Sequence, residues 1–319
     1  MEKTQKKIAA VVMLVENQLA QLARGTVETL GYRCLTANDA AEALAIMAKT
    51  PVDLVVSRVR ESAQDFAFFD QAAKLSPHCR WIAVIDDSLE EYFPELLVKG
   101  FPHNLIADNQ PLDLHELGAT IRKLLNGDIF GIDKYGIPVH ETIRLTASDQ
   151  KYPVIEKIRD FYLQAGVQER IVRNVELILN ELLMNAIFDA PVDPGGHKPY
   201  SNVDRGASFQ LQDKEQPEVQ YGLDHGKLAV SVSDQFGGFR KETFFTYVHR
   251  CFSEKSILEG PGKGAGMGLF MVFKSLNQMV INVAPGKKTE VIALIDYTIT
   301  MRELKKRRHS FHHFQVEGR

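Results

Sequence analysis

Long apolar runs, a surplus of one charge and paired cysteines are all missing from this 319-residue chain. No stretch reaches the ~18 consecutive apolar residues that a membrane-spanning helix needs, so no membrane association is expected. Lys and Arg number 38 against 41 Asp and Glu, a net charge of −3. That balance gives no overall drive toward nucleic acid or an anionic lipid surface. The three cysteines, Cys34, Cys79 and Cys251, lie far apart and form no CxxC pair. A reducing, cytoplasmic setting is expected over a disulfide framework. What is present is ordinary globular composition, 45% hydrophobic and 25% charged, and the length predicts two domains at about 150 residues each.

Lys3, Lys6 and Lys7 followed by Ile8–Val15 imitate the start of a signal peptide. The apolar run ends at Glu16-Asn17, and a buried first strand is the reading that fits its length. From there to residue 125, short apolar runs alternate with helical periodicity. Strands are expected at Ile8–Val15, Arg33–Thr36, Val52–Val56, Trp81–Ile85 and Asn104–Ile106, with Leu114–Leu125 as the closing helix. Parallel strands need crossover helices, so five such units predict a doubly wound parallel α/β sheet.

Residues 126–140 carry Gly127, Gly131, Gly136 and Pro138 and read as a linker. The second domain, 141–301, begins with a strand at Glu141–Ala147 and a helical stripe through Val154, Ile158, Phe161 and Ala165. A long helix follows from about Gln168 to Asp189, then a patternless, turn-rich stretch at 191–217. Asp224-His225-Gly226 signals one hairpin, and Ala284–Lys288 joins the strands of another. Residues 302–319, with Lys305, Lys306, Arg307, Arg308 and three histidines, read as a solvated basic tail.

Three local patterns in the second domain could carry chemistry. Glu181 and Asn185 sit four residues apart on the long helix and so share a face. An Asn carbonyl oxygen suits Mg²⁺, and a carboxylate beside it could orient or deprotonate a hydroxyl. Asp234-Gln235-Phe236-Gly237-Gly238 ends a strand with an acceptor for an exocyclic amine and two residues over which a flat ring could lie. Gly264, Gly266 and Gly268 open an apolar helix, where freed backbone N–H groups favour phosphate. The surrounding residues fit neither a P-loop nor a dinucleotide fingerprint. Singly, these patterns fit a polar helix stripe, a strand-end turn and a glycine-eased helix start equally well.

Two family resemblances follow. The spacing of residues 1–125 resembles a response-regulator receiver domain with flavodoxin-like strand order 2-1-3-4-5. The residues of that family's phosphorylation site are replaced: Ser57 stands for the acceptor Asp, Glu16-Asn17 for the paired acids, Ile85 or Asp86 for the hydroxy residue and Gln110 for the Lys. A carboxylate acceptor, divalent cation and phosphate-binding cation are all wanting, which implies a pseudo-receiver that docks a partner.

The order ExxxN, DxxGG, glycine run and then Thr289 on the last hairpin resembles the GHKL ATPases over residues 140–300, a two-layer α/β sandwich. The resemblance implies ATP and Mg²⁺ as cofactors. Asn185 would take the metal, Asp234 the adenine amine, Gly237 and Gly238 the neighbourhood of the ring, and Thr289 the adenine through water. Gly264, Gly266 and Gly268 would take the phosphates, with Lys255 and Lys263 reaching from a lid at 239–263. Within that superfamily the run from Ile143 to Ile187 looks most like the anti-sigma-factor serine kinases, whose Glu, here Glu181, is the general base. Asp189-Ala190 and the long 191–217 segment depart from that branch. His140-Glu141 only faintly resembles the phospho-accepting box of histidine kinases, and too few residues follow for the required helical hairpin. The expectation is a signalling regulator that phosphorylates Ser or Thr of a regulatory protein partner of the anti-anti-sigma kind. The alternative is an ATP-gated scaffold without transfer, and a homodimer is left open.

Overall fold

The computed structural model describes residues 10–14, 17–60, 62–92, 96, 103–242, 244–246, 249 and 267–316. The chain divides into two compact units, Met1–Asp128 and Ile129–Arg319.

The first unit is a parallel sheet of β1 (Ala10–Leu14), β2 (Arg33–Thr36), β3 (Leu54–Val59), β4 (Arg80–Ile85) and β5 (Asn104–Ala107). The pairings run β2-β1-β3-β4-β5, the flavodoxin-like doubly wound order. Helices α1 (Asn17–Thr29), α2 (Ala40–Met47), α3 (Ser62–Leu75) and α4 (Leu114–Asn126) make crossovers or close the unit. Leu54, Val56, Ile82, Val84 and Ile106 form its core with Val27, Leu117 and Ile121. The central strands are apolar on both faces because helices cover both faces of a parallel sheet. Asp39 and Asp113 cap α2 and α4 by accepting backbone N–H groups, as short acidic side chains do at helix starts.

The second unit has strands β6 (Glu141–Arg144), β7 (Glu218–Asp224), β8 (Lys227–Asp234), β9 (Gln278–Ala284), β10 (Lys288–Asp296) and β11 (Ser310–Gln315). They pair in the order β11-β9-β10-β8-β7-β6, antiparallel except for β11 on β9. The β7–β8 hairpin turns at His225-Gly226, both left-handed, the two-residue turn that suits strand twist. Helices α5 (Lys151–Gln164) and α6 (Glu169–Met184) pack together, and α6 packs against α7 (Met267–Lys274). The buried Tyr162 hydroxyl ties α5 to the sheet by donating to the carbonyls of Gly222 and Ala229 at 3.2 and 2.8 Å.

Two expected boundaries move. Residues 129–140 are no free linker: Ile129, Ile132 and Ile137 are buried, and the Gly131 N–H donates to the Glu290 carboxylate at 3.0 Å. The basic tail is not a solvated end. A short helix, α8 (Met301–Leu304), leads into β11, where Phe311, His312, His313 and Phe314 are buried and Phe311 stacks on Phe244 at 4.7 Å. In the connection Arg307 pairs with Asp296 at 2.9 Å, while Lys305 and Lys306 stay exposed.

Candidate functional site

The ExxxN segment lies where α6 gives way to a π turn over Asn185–Asp189. Asn185 still donates its N–H to the Glu181 carbonyl, so the two side chains keep their one-turn spacing. Beyond it the spacing widens, and Ala190 N–H reaches Asn185 O at 2.9 Å. Neither the Glu181 carboxylate nor the Asn185 carboxamide has a hydrogen bond or ion pair among the described residues, although both are half-buried. Half-buried, both groups keep access to solvent and are open to a ligand.

Glu181 meets the glycine-run helix directly. A Cβ built on Gly268, at the start of α7, would collide with the Glu181 carboxylate. The structure therefore brings together one residue of the first motif and one of the third. Lys255, Lys263, Gly264 and Gly266 lie outside the described residues.

The second motif joins the fourth residue of interest. Asp234 ends β8 and stands opposite Thr289 in the β8–β10 register. Its Oδ1 accepts the N–H groups of Phe236 at 2.8 Å and Gly237 at 3.3 Å. Burial pushes the Asp234 carboxyl above the ordinary aspartate range, against the pull of those N–H donors and of Thr289 toward the ionised form. The Thr289 hydroxyl is buried and faces this carboxylate without closing a hydrogen bond of its own. Gly237, with φ of 62°, lies so close to the carbonyl of Ala284 and the N–H groups of Gly286 and Lys287 that no side chain fits. Gly238, one residue on, is exposed, with open space where a Cβ would be. The π turn packs on β8, so the Asn185 segment and the Asp234 strand are neighbours.

This donor set fits a magnesium nucleotide. Among the described residues no group of three or more His, Cys, Asp or Glu could hold a metal by itself. Mg²⁺ is commonly held by one or two protein oxygens with phosphates and water supplying the rest, and Asn185 offers such an oxygen. Thr289 supplies an unsatisfied hydroxyl beside the Asp234 acceptor. His140 belongs to no helix; it precedes β6 and stacks on Phe161 at 4.1 Å.

In the first unit Ser57 is buried, and its hydroxyl donates to the carbonyl of Arg58 at 3.3 Å. Asp53 precedes β3, at the end opposite the strand's carboxyl edge. Arg58 carries no sequence motif. Its guanidinium joins Asp86, after β4, to Asp108, after β5, the latter at 2.8 Å. A charged residue inside the apolar run Leu54–Val59 was the available signal. Arg205 and Lys151 carry no motif either.

No family model matches the chain, and no curated protein matches it. Solved structures do. A response regulator from Thermotoga maritima is 18% identical, with 37% of this chain and 98% of that one covered at a TM-score of 0.34. A CheY-like receiver domain protein from Methanospirillum hungatei is 19% identical over 38% of this chain and 95% of that one, TM-score 0.34. The signal receiver domain of an HD domain-containing protein from Pseudomonas fluorescens is 19% identical over 40% and 93%, TM-score 0.35. No helix among the described residues is long and apolar enough to cross a membrane.

Proposed function

We propose that this chain is a signalling regulator whose second unit binds Mg·ATP and transfers the γ-phosphoryl group to a Ser or Thr of a partner protein. The observation that carries this reading is the unpaired Glu181 carboxylate, set against Gly268 at the head of α7 and one helical turn from an unpaired Asn185. Bound Mg²⁺ would neutralise charge on the phosphates. The chain's own groups do the rest. Asn185 offers a neutral oxygen ligand, Asp234 accepts the adenine amine, Thr289 hydrogen-bonds near the ring through water, and main-chain amides of the glycine run take phosphate oxygens. Glu181 accepts the proton of the attacking hydroxyl.

The first unit serves this reading as a docking module. Its carboxyl edge holds Arg58 between two acids where phosphoryl chemistry needs a free carboxylate and a cation site. The free thiols Cys34 and Cys79 are buried, and burial pushes them up to about 11 and about 12, so neither is a reactive nucleophile near neutral pH.

Isothermal titration of the full chain with Mg·ATP, followed by a labelled-phosphate search against candidate partners, tests the reading. Glu181→Gln is expected to keep nucleotide affinity within about threefold and to lower transfer by about 10²–10⁴, the usual worth of a general base. Unchanged transfer in Glu181→Gln sinks the catalytic assignment. Retained binding with no acceptor in any partner supports the scaffold alternative, and no binding at all ends the nucleotide reading.

A further inference from the structure

The 191–217 segment has no sequence period, yet the structure pins it at several points around the π turn. Its residues 207–210 lie along 146–149: the Ser148 hydroxyl donates to Ala207 O at 2.7 Å, Ser208 to Asp149 at 2.7 Å, and Gln210 bridges Ala147. Lys151, 3% exposed, donates to the carbonyl of Arg205 at 3.0 Å and lies over the Phe188 ring at 5.7 Å. No carboxylate pairs with this buried ammonium among the described residues, so the Arg205 carbonyl is its chief oxygen partner.

Arg205 itself grips the π turn from outside. Its Nη2 contacts both Asp189 oxygens, at 3.0 and 3.2 Å, and Nη1 contacts one of them at 3.2 Å. Nη1 also donates toward the Met184 carbonyl at 3.4 Å, and the guanidinium covers the Phe188 ring at 5.0 Å. These contacts brace the π turn from outside, and the i→i+5 spacing they surround is rare in folded chains. Arg205 supplies a donor to the Met184 carbonyl, an ion pair to the last residue of the turn and a cation for the aromatic face between them. A planar fork can make all three contacts at once, whereas a lysine cannot.

We propose that Arg205 is a positioning residue: through Met184, Phe188 and Asp189 it holds the turn on which Asn185 sits, and so fixes the cation end of the nucleotide site. This rests on the Mg·ATP reading above. Arg205 touches no reacting group in it. Without the clasp the turn relaxes toward α-helical spacing, and the Asn185 oxygen loses its fixed place relative to Glu181. Groups that orient a metal ligand are worth roughly 10–100-fold in metal affinity, although their own exposed ion pairs stabilise the fold little.

The test compares full-length wild type, Arg205→Met, Arg205→Lys and Asn185→Ala. ATP affinity is measured with Mg²⁺ and with EDTA, and amide exchange is followed over residues 185–190. In wild type Mg²⁺ strengthens ATP binding, and Asn185→Ala abolishes that gain. Arg205→Met is expected to cut the gain by about tenfold and leave EDTA affinity within about twofold. It also speeds exchange in the turn by about tenfold relative to β8 and β10. Arg205→Lys recovers less than half of the gain, because a point charge cannot replace the fork. A merely structural role would lower affinity equally with and without Mg²⁺, and that result overturns the proposal. So does wild-type exchange and Mg²⁺ dependence in Arg205→Met. If wild type binds no ATP, the nucleotide reading falls and the metal role of Arg205 with it. The exchange arm then still decides whether the clasp holds the turn.

Discussion

At the scale of single residues, Asp234 shows what burying a carboxylate costs even when backbone N–H groups meet it. Burial raises its pKa, so ionising it costs more in the folded state than in the unfolded chain. The stability it contributes is therefore present at low pH and is lost as pH rises through the raised pKa. Its affinity for an amine donor runs the other way, because the ionised form is the stronger acceptor. Asp234→Asn keeps an oxygen for the N–H groups of Phe236 and Gly237 while removing the charge. Near neutral pH, scanning calorimetry of this variant is expected to show a melting temperature up by about 1–3 °C, a gain below roughly 1 kcal/mol. ATP affinity falls by about ten- to a hundredfold, the worth of a hydrogen bond to a charged acceptor. In wild type, affinity declines as pH falls through the raised pKa, and in the variant that dependence disappears. A variant that loses stability and retains affinity would show that Asp234 serves the fold and not a ligand.

At the scale of elements, what was legible was what repeats locally. The first unit's parallel strands came from short apolar runs, and the β7–β8 hairpin from Asp224-His225-Gly226, because strand burial and turn chemistry act over a few residues. Glu181 and Asn185 were legible for the same reason, as helical neighbours. What escaped depends on contacts between distant residues. The π turn looks like five more residues of α-helix until Arg205 is seen beside it. β11 was hidden because Lys305–Arg308 dominate the charge count, while Ser310–Gln315 form a strand by burying aromatic and histidine side chains beside β9. The contact of α6 with α7 through Glu181 and Gly268 was equally invisible, and it allows a test in which fold and chemistry part ways. In Gly268→Ala the atoms nearest the new methyl all belong to the flexible Glu181 side chain. The helix gains up to about 1 kcal/mol from the exchange, since alanine is the better helix former. The carboxylate must swing aside, and a displacement of about 1 Å can cost up to about 10²-fold in rate. Denaturant melts paired with transfer assays are expected to show stability held or raised and phosphoryl transfer lowered at least about tenfold. A fall in stability with transfer intact would separate Glu181 from the chemistry.

At the scale of the whole molecule, the chain combines two units with opposite electrostatic habits. The second leaves a carboxylate, a carboxamide and a hydroxyl unpaired. The first closes the comparable place in its own sheet, the carboxyl edge of a doubly wound fold where ligands commonly bind. There Arg58, with its side chain 10% exposed, is shared between Asp86 and Asp108, which are 36% and 7% exposed. Removing the cation leaves two acids facing each other, one of them buried, while inserting a phosphoryl group would add to the same negative charge. The chain's single tryptophan makes this measurable in one unit alone. Trp81 lies on β4, pairs in register with Val55 of β3, and packs edge-on against Phe69 at 5.5 Å. Urea unfolding followed at Trp81 is expected to show Arg58→Met losing about 3 kcal/mol, the low end for a broken buried pair because Asp86 is partly solvated. Arg58→Lys recovers only part of this, since one ammonium cannot span both acids with fork geometry. In wild type, Mg²⁺ with beryllofluoride leaves the Trp81 emission unchanged. A saturable change there would mean that the edge opens to an anion despite Arg58, and the first unit would then have to be read as a phosphate-responsive switch.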